Sequence, residues 1–255
     1  MRRICYILFM LAAGVLLTSC GETVVTLQPE FAPGRTQKAP PAVTEPPGTD
    51  CESDAAHEEP ALILEVHPRF EYLLHLNPDV VGQIIIEGAN INYPVLFRGD
   101  NTHYFAHDIY GEPSERGAIF MDMSNRGAIL DDNTVLHGNN IPGGMFGGLE
   151  YFKEQEFFEA NRRVIFNNLY SDMEWEIFAV YVVHSNDYHV LVRFGGHEGY
   201  LQFLEHIRAR ALFFADFEPQ PGDRMLTLHT HSFEFAGAHT LVHARLISRA
   251  DNVRG

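Results

Sequence analysis

Between Gln83 and Ile247 the chain carries eight short runs, "QIIIEG", "NYPVLF", "GAIFMD", "NTVLHGN", "RVIFNN", "EWEIFAVYVV", "MLTLHT" and "TLVHARLI". They are rich in β-branched and aromatic residues and bounded by glycine, asparagine or proline, which is the pattern of strands. One helical segment, "EGYLQFLEHIRARALFF", falls between the sixth and the seventh run. Many short strands with so few helices predict a mainly β fold, an eight-stranded closed or nearly closed β-barrel with appended helices. Upstream, "ALILEVHPRFEYLLHLNPDVVG" has apolar residues at helical spacing with Pro68 interrupting, so one or two N-terminal helices are expected to open the domain. The chain has no internal repeat.

At 255 residues and 45% hydrophobic content the chain can bury one sizeable core. Its formal charge of -16 repels nucleic acid phosphates and anionic lipid headgroups, so the expected partner is a peptide or a neutral or cationic group, not nucleic acid.

The N-terminus reads as an address. Arg2 and Arg3 precede the apolar run "ICYILFMLAAGVLL", which is too short for a bilayer span and is followed by "TSC". Residues 1–20 are therefore expected to be a lipoprotein-type signal peptide, because "LTSC" resembles a bacterial lipobox whose cysteine, here Cys20, becomes acylated. Acyl chains on Cys20 would anchor the protein to the membrane without a spanning helix. Residues 21–60, rich in proline, glutamate and threonine, read as a disordered tether, and residues 61–250 as the folded domain. The cysteines are Cys5, Cys20 and Cys51, so the domain has no thiol for a disulfide, a thiolate metal site or covalent catalysis.

Several stretches together resemble class B sortases, the cysteine transpeptidases that attach proteins to Gram-positive cell walls. "NPDVVGQIIIEGANINYPVLFRGDNTHYFAHDIYGEPSERGAIFMD" is similar in order and spacing to the opening segment of that family. "DDNTVLHGNNIPGGMFGGL" is similar to its "N-x-V-I-Y-G-H-N-M" followed by "MFG-x-L", and "TLHTH" with "TLVHARLI" to its terminal "T-L-S-T-C" and "R-x-V-V-x-A-R-L". The likeness runs from Tyr72 to Ser248 and implies the sortase eight-stranded barrel with N-terminal helices, no cofactor, and a peptide or cell-wall precursor as partner. It also implies a place on the outer face of the plasma membrane of a Gram-positive-type bacterium. Position by position, the family's cysteine falls on His231, its histidine on Asn139 and its arginine on His239.

Sortase chemistry needs a thiolate to attack a carbonyl, a histidine to exchange protons and an arginine to hold the developing charge. Loss of a nucleophile alone costs roughly six orders of magnitude in a serine protease. The expectation is a sortase-like protein whose site binds a sorting-signal-like peptide without ordinary cysteine transpeptidation. His137, two residues before Asn139, is displaced by about 6 to 7 Å along a strand, too far to take over its contact.

A rebuilt site is the alternative. His229 and His231 share one face of a predicted strand, His239 approaches from the next strand, and His137 is a fourth member. Three neutral imidazoles around zinc with one open position would activate water for hydrolysis, with Glu234 as the nearest base in sequence. His243 shares the face of His239 but lies roughly 13 Å along it. The competing reading makes these imidazoles hydrogen-bonding fillers beside a peptide groove. A working cysteine-type sortase requires the catalytic positions to fall elsewhere.

Overall fold

Two long antiparallel strands, β8 (Ser171–His184) and β11 (Ala238–Asp251), form the seam that closes the sheet on itself. Around the ring from β8 follow β11, β10 (Met225–His231), β4 (Asn133–His137), β3 (Ile119–Met121), β2 (Ile91–Leu96), β1 (Val80–Ile86) and β7 (Arg163–Asn168), which returns to β8. The computed structural model describes residues 63–188 and 191–253, within the unit His57–Gly255. The expected signal peptide with Cys20, the tether and Cys51 lie outside the described residues. The eight ring strands coincide with the eight runs read from sequence, β7 residue for residue and the others extended, trimmed or shifted by a few residues. The fold is the closed eight-stranded β-barrel that was expected.

Most neighbours are antiparallel, but β2–β3 and β4–β10 are parallel. Parallel pairs need crossover connections and are covered on both faces, which accounts for β4 and β10 being buried along almost their whole length. Ile84, Leu136, Phe166, Trp175, Leu228 and Val242 fill the barrel interior. A second core joins the outer face of the β8–β11 wall to α3 (His197–Arg208) through Phe178, Tyr181, Leu204, Ile207 and Leu241. Two-residue strands add to this frame: β5 (Asn140–Ile141) with β6 (Gly144–Met145), and β9 (Phe213–Phe214) at the side of β8.

Pro68 does not interrupt the N-terminal helix but starts it. It opens a 3₁₀ turn, Pro68–Phe70, that runs into α1 (Glu71–Leu76), and the His67 ring accepts a hydrogen bond from the Arg69 N–H at the cap. Proline lacks the N–H that a helix start cannot use anyway. The 3₁₀ segment Gly147–Lys153 and α2 (Gln155–Ala160), which the strand pattern did not announce, link β6 to β7. The bridge between Leu64 and Val253 carries the fold slightly past residue 250. Among the described residues no helix is long and apolar enough to cross a membrane.

Candidate functional site

Alternation along β10 sends Leu226 and Leu228 into the barrel, so Thr227, His229 and His231 face outward. The same rule places His137 on the outer face of β4 and His239 and His243 on that of β11. Register then brings the imidazoles together: His137 pairs with His229 across the parallel ladder, and His231 pairs with His239 across the antiparallel one.

The side chains form a ladder rooted in a carboxylate. His137 Nε2 lies 2.8 Å from Asp122 Oδ2, His137 Nδ1 lies 2.7 Å from His229 Nδ1, and His229 Nε2 lies 2.6 Å from His239 Nδ1. Asp122, His137 and His229 are all buried, with 5% exposure or less, whereas His239 is only partly covered and His231 is exposed. Aromatic rings wall the ladder. Tyr188 stacks on His229 at 4.4 Å between centroids, Phe120 lies 5.2 Å from His137, and Phe105 lies 5.8 Å from His231. The Tyr188 hydroxyl is buried with no protein partner among the described residues.

Burial would raise the Asp122 carboxyl, but hydrogen bonds from His137, the Ser124 N–H and Asn101 outweigh it and hold the group at about 2. Burial pushes His229 well below the usual imidazole value, and neighbouring His137, His239 and His231 push the same way. His239 is also lowered, by burial first and then by His231, His184 and His137. His243 belongs to a separate cluster. It contacts Thr227 and Tyr181, and full burial drives it down to about 3.

The three positions carried over from the sortase resemblance lie at or just beyond the ends of β4, β10 and β11. His231 and His239 stand side by side, 4.9 Å between ring centroids. Asn139 lies beyond the end of β4, and its amide donates to the carbonyls of Phe105 at 2.9 Å and Arg116 at 3.1 Å. Because the strand stops at His137, the even-spaced relation expected between His137 and Asn139 is not kept. It is the neighbouring Asn140 whose amide reaches the His231 carbonyl, at 2.9 Å.

Glu234 is not free to act as a base. It is ion-paired with Lys153 and accepts from the Ser232 hydroxyl, and these bonds lower its carboxyl against the upward pull of burial.

Among the described residues no group of three or more His, Cys, Asp or Glu side chains could hold a metal ion. The reason is visible in the ladder. Two nitrogens on one tetrahedral zinc, each about 2.0–2.1 Å from it, stand about 3.3 Å apart. Here the nitrogens of His229 face other imidazoles at 2.6 and 2.7 Å, hydrogen-bond distances that leave no space for an ion between them.

Sequence reasoning did not single out Asp122, Tyr188 or Phe105. Asp122 had a legible signal, a carboxylate directly after the wholly buried run "IFM". Tyr188 and Phe105 come from connections whose paths no local pattern specifies.

No family model matches the chain. A search of curated proteins finds sortase B of Staphylococcus aureus, 33% identical over 166 residues that cover 65% of this chain and 68% of the relative. Among solved structures, Clostridium perfringens sortase B superposes with a TM-score of 0.65 at 33% identity, covering 69% of this chain and 98% of that one. A Staphylococcus aureus sortase B–substrate complex superposes with a TM-score of 0.67 at 31% identity, covering 72% of this chain and 87% of that one.

Proposed function

The chain belongs to the sortase B family, and from that membership we propose an extracytoplasmic, lipid-anchored protein that binds a sorting-signal-like peptide or cell-wall component without cysteine transpeptidation. The observation that carries the reading is the residue at the open end of β10. His231, exposed and beside His239, stands where the resemblance implies a cysteine, and every cysteine of the chain precedes residue 52. An imidazole is a poor substitute for a thiolate, since acyl-imidazoles hydrolyse readily and the thioacyl intermediate cannot form. Asn139 cannot shuttle protons at neutral pH, and its amide is occupied by loop carbonyls.

At the open ends of β10 and β11, His231 and His239 still offer a peptide a polar contact, with Phe105 beside His231 and Tyr188 beside His239. A substrate complex of a Staphylococcus aureus relative supports a peptide as the partner class. Acylation at Cys20 would tether the protein to the outer surface of the membrane.

Calorimetric titration of the protein with sorting-signal peptides tests the reading. Saturable binding without cleavage, with hydroxylamine present as acyl acceptor, is the expected result. Hydroxylamine-dependent cleavage, or no saturable binding by any such peptide, would overturn it.

A further inference from the structure

The ladder from Asp122 to His239 has a direction, and the direction follows from hydrogen counting. Asp122, ionised, only accepts, so the hydrogen between it and His137 sits on His137 Nε2. With every ring neutral, His137 Nδ1 is then bare and must accept from an Nδ1–H of His229. His229 Nε2 is bare in turn and accepts from an Nδ1–H of His239. One buried carboxylate thereby sets three tautomers and leaves the Nε2 lone pair of His239, at the partly exposed end, without its hydrogen.

From this geometry we propose that the site is a thiol-free, metal-free acyl-ester hydrolase, in which His239 is the general base for water and His231 donates to the carbonyl oxygen. The proposal deepens the peptide-binding reading and rests on it for the open face that His231 and His239 share. Water's oxygen bonds to the ester carbonyl carbon while its proton passes to Nε2 of His239. The Nδ1 hydrogen of His239 moves to His229 Nε2, and the Nδ1 hydrogen of His229 moves to His137 Nδ1. The one positive charge gained now sits on His137, 2.8 Å from the Asp122 carboxylate, which stabilises it in a site closed to solvent. The carbon–oxygen bond to the leaving group then breaks, the shifts run backward, and His239 returns the proton to the alkoxide. Acid and alcohol are released with no change of oxidation state.

His231 fits the second role because its exposed ring lies beside that of His239 and a neutral imidazole keeps one N–H donor. His229, His137 and Asp122 are positioning residues, touching no substrate. Esters are the substrate class because one base and one neutral donor suffice for a good leaving group, whereas an amide demands more. The charged and titratable groups around His239 are His231 and His229 on β10, His184 at the end of β8, His137 on β4 and the Tyr188 ring, with Asp122 at the root of the ladder.

The test uses the full chain without a histidine tag, labelled with nitrogen-15 histidine. Nitrogen-detected tautomer spectra at pH 8 are expected to show Nδ1–H forms for His229 and His239 and an Nε2–H form for His137; an Nε2–H form for His239 would overturn the ladder. The same protein is then assayed with p-nitrophenyl acetate in the presence of a chelator. Expected are turnover well above an equal concentration of free imidazole, a slower rate in heavy water, and a loss of about 100-fold in His239→Gln. His229→Gln is expected to lower the plateau and move the midpoint of the pH profile while tautomer spectra of the remaining rings confirm folding. A rate equal to free imidazole, abolished by the chelator, or unchanged in His239→Gln would overturn the activity. Ester turnover without peptide binding would sink the peptide reading alone, and peptide binding without turnover would sink this one alone.

Discussion

The Nδ1 atoms of His137 and His229 face each other at 2.7 Å across the parallel seam of β4 and β10, both rings buried. Only one hydrogen fits between two such nitrogens, so the two rings cannot both present an N–H there. Full protonation of the ladder is blocked by geometry as well as by burial.

Acid should therefore unfold this protein early. His229 and His243 are held below the imidazole value by burial, His243 down to about 3. An unfolded chain binds their protons from pH ~6.5 downward while the native chain does not, so stability is complete above that value and falls below it. The slope is about 1.4 kcal/mol per pH unit for each such group. Asp122, held at about 2, contributes stability that is present above its unfolded value of 3.8 and lost as pH falls through 2. Urea midpoints measured from pH 7.5 to 4.5 are expected to decline steadily, and His243→Gln to flatten the decline. A level profile would contradict the burial of these rings.

Trp175 is the chain's single tryptophan, fully buried in the barrel with its indole N–H donating to the Phe166 carbonyl at 3.2 Å. Its ring lies 6.4 Å from that of Phe166. Phe166→Ala opens a cavity beside it and is expected to cost about 3–5 kcal/mol. Denaturant titration followed by Trp175 fluorescence checks this, with a red-shifted native emission as the second sign.

Gly117 sits at φ 63°, and a Cβ there would lie 2.5 Å from the Tyr104 carbonyl oxygen and 2.9 Å from the Asn139 amide nitrogen. Gly117→Ala combines left-handed strain with displacement of Asn139 and is expected to cost about 1–3 kcal/mol. Hydrogen exchange is expected to rise between residues 104 and 117, while α3 keeps its protection.

If the open end of β10 is the former nucleophile position, His231→Cys with Asn139→His and His239→Arg is expected to gain hydroxylamine-dependent cleavage of a sorting peptide. His231→Cys alone should react with alkylating agents and turn nothing over. A triple variant that is folded, alkylated and still inert would place the position elsewhere.

The barrel was legible because each ring strand is a short β-branched run with turn residues at its ends. The cluster of His229, His231 and His239 was legible too, since period-two spacing on one strand and a hairpin partner are local facts. What governs the cluster was not. Asp122 reaches His137 from just past the end of β3, and Lys153 takes Glu234 from a 3₁₀ segment far away in sequence. The first depends on the register of the antiparallel β3–β4 pair and the second on the docking of that segment beside the β10–β11 hairpin, and no local pattern states either. The end of β4 was not legible for a related reason, because the strand pattern of "NTVLHGN" gives no sign that the strand stops at His137 and leaves Asn139 in the connection beyond it.

The β8–β11 seam has a further consequence. A closed cylinder exposes no strand rim, but until that seam zips, two long unpaired edges remain open to other chains. His239 is set against β10 by the local hairpin rather than by the seam, so the imidazole path can assemble before the cylinder shuts.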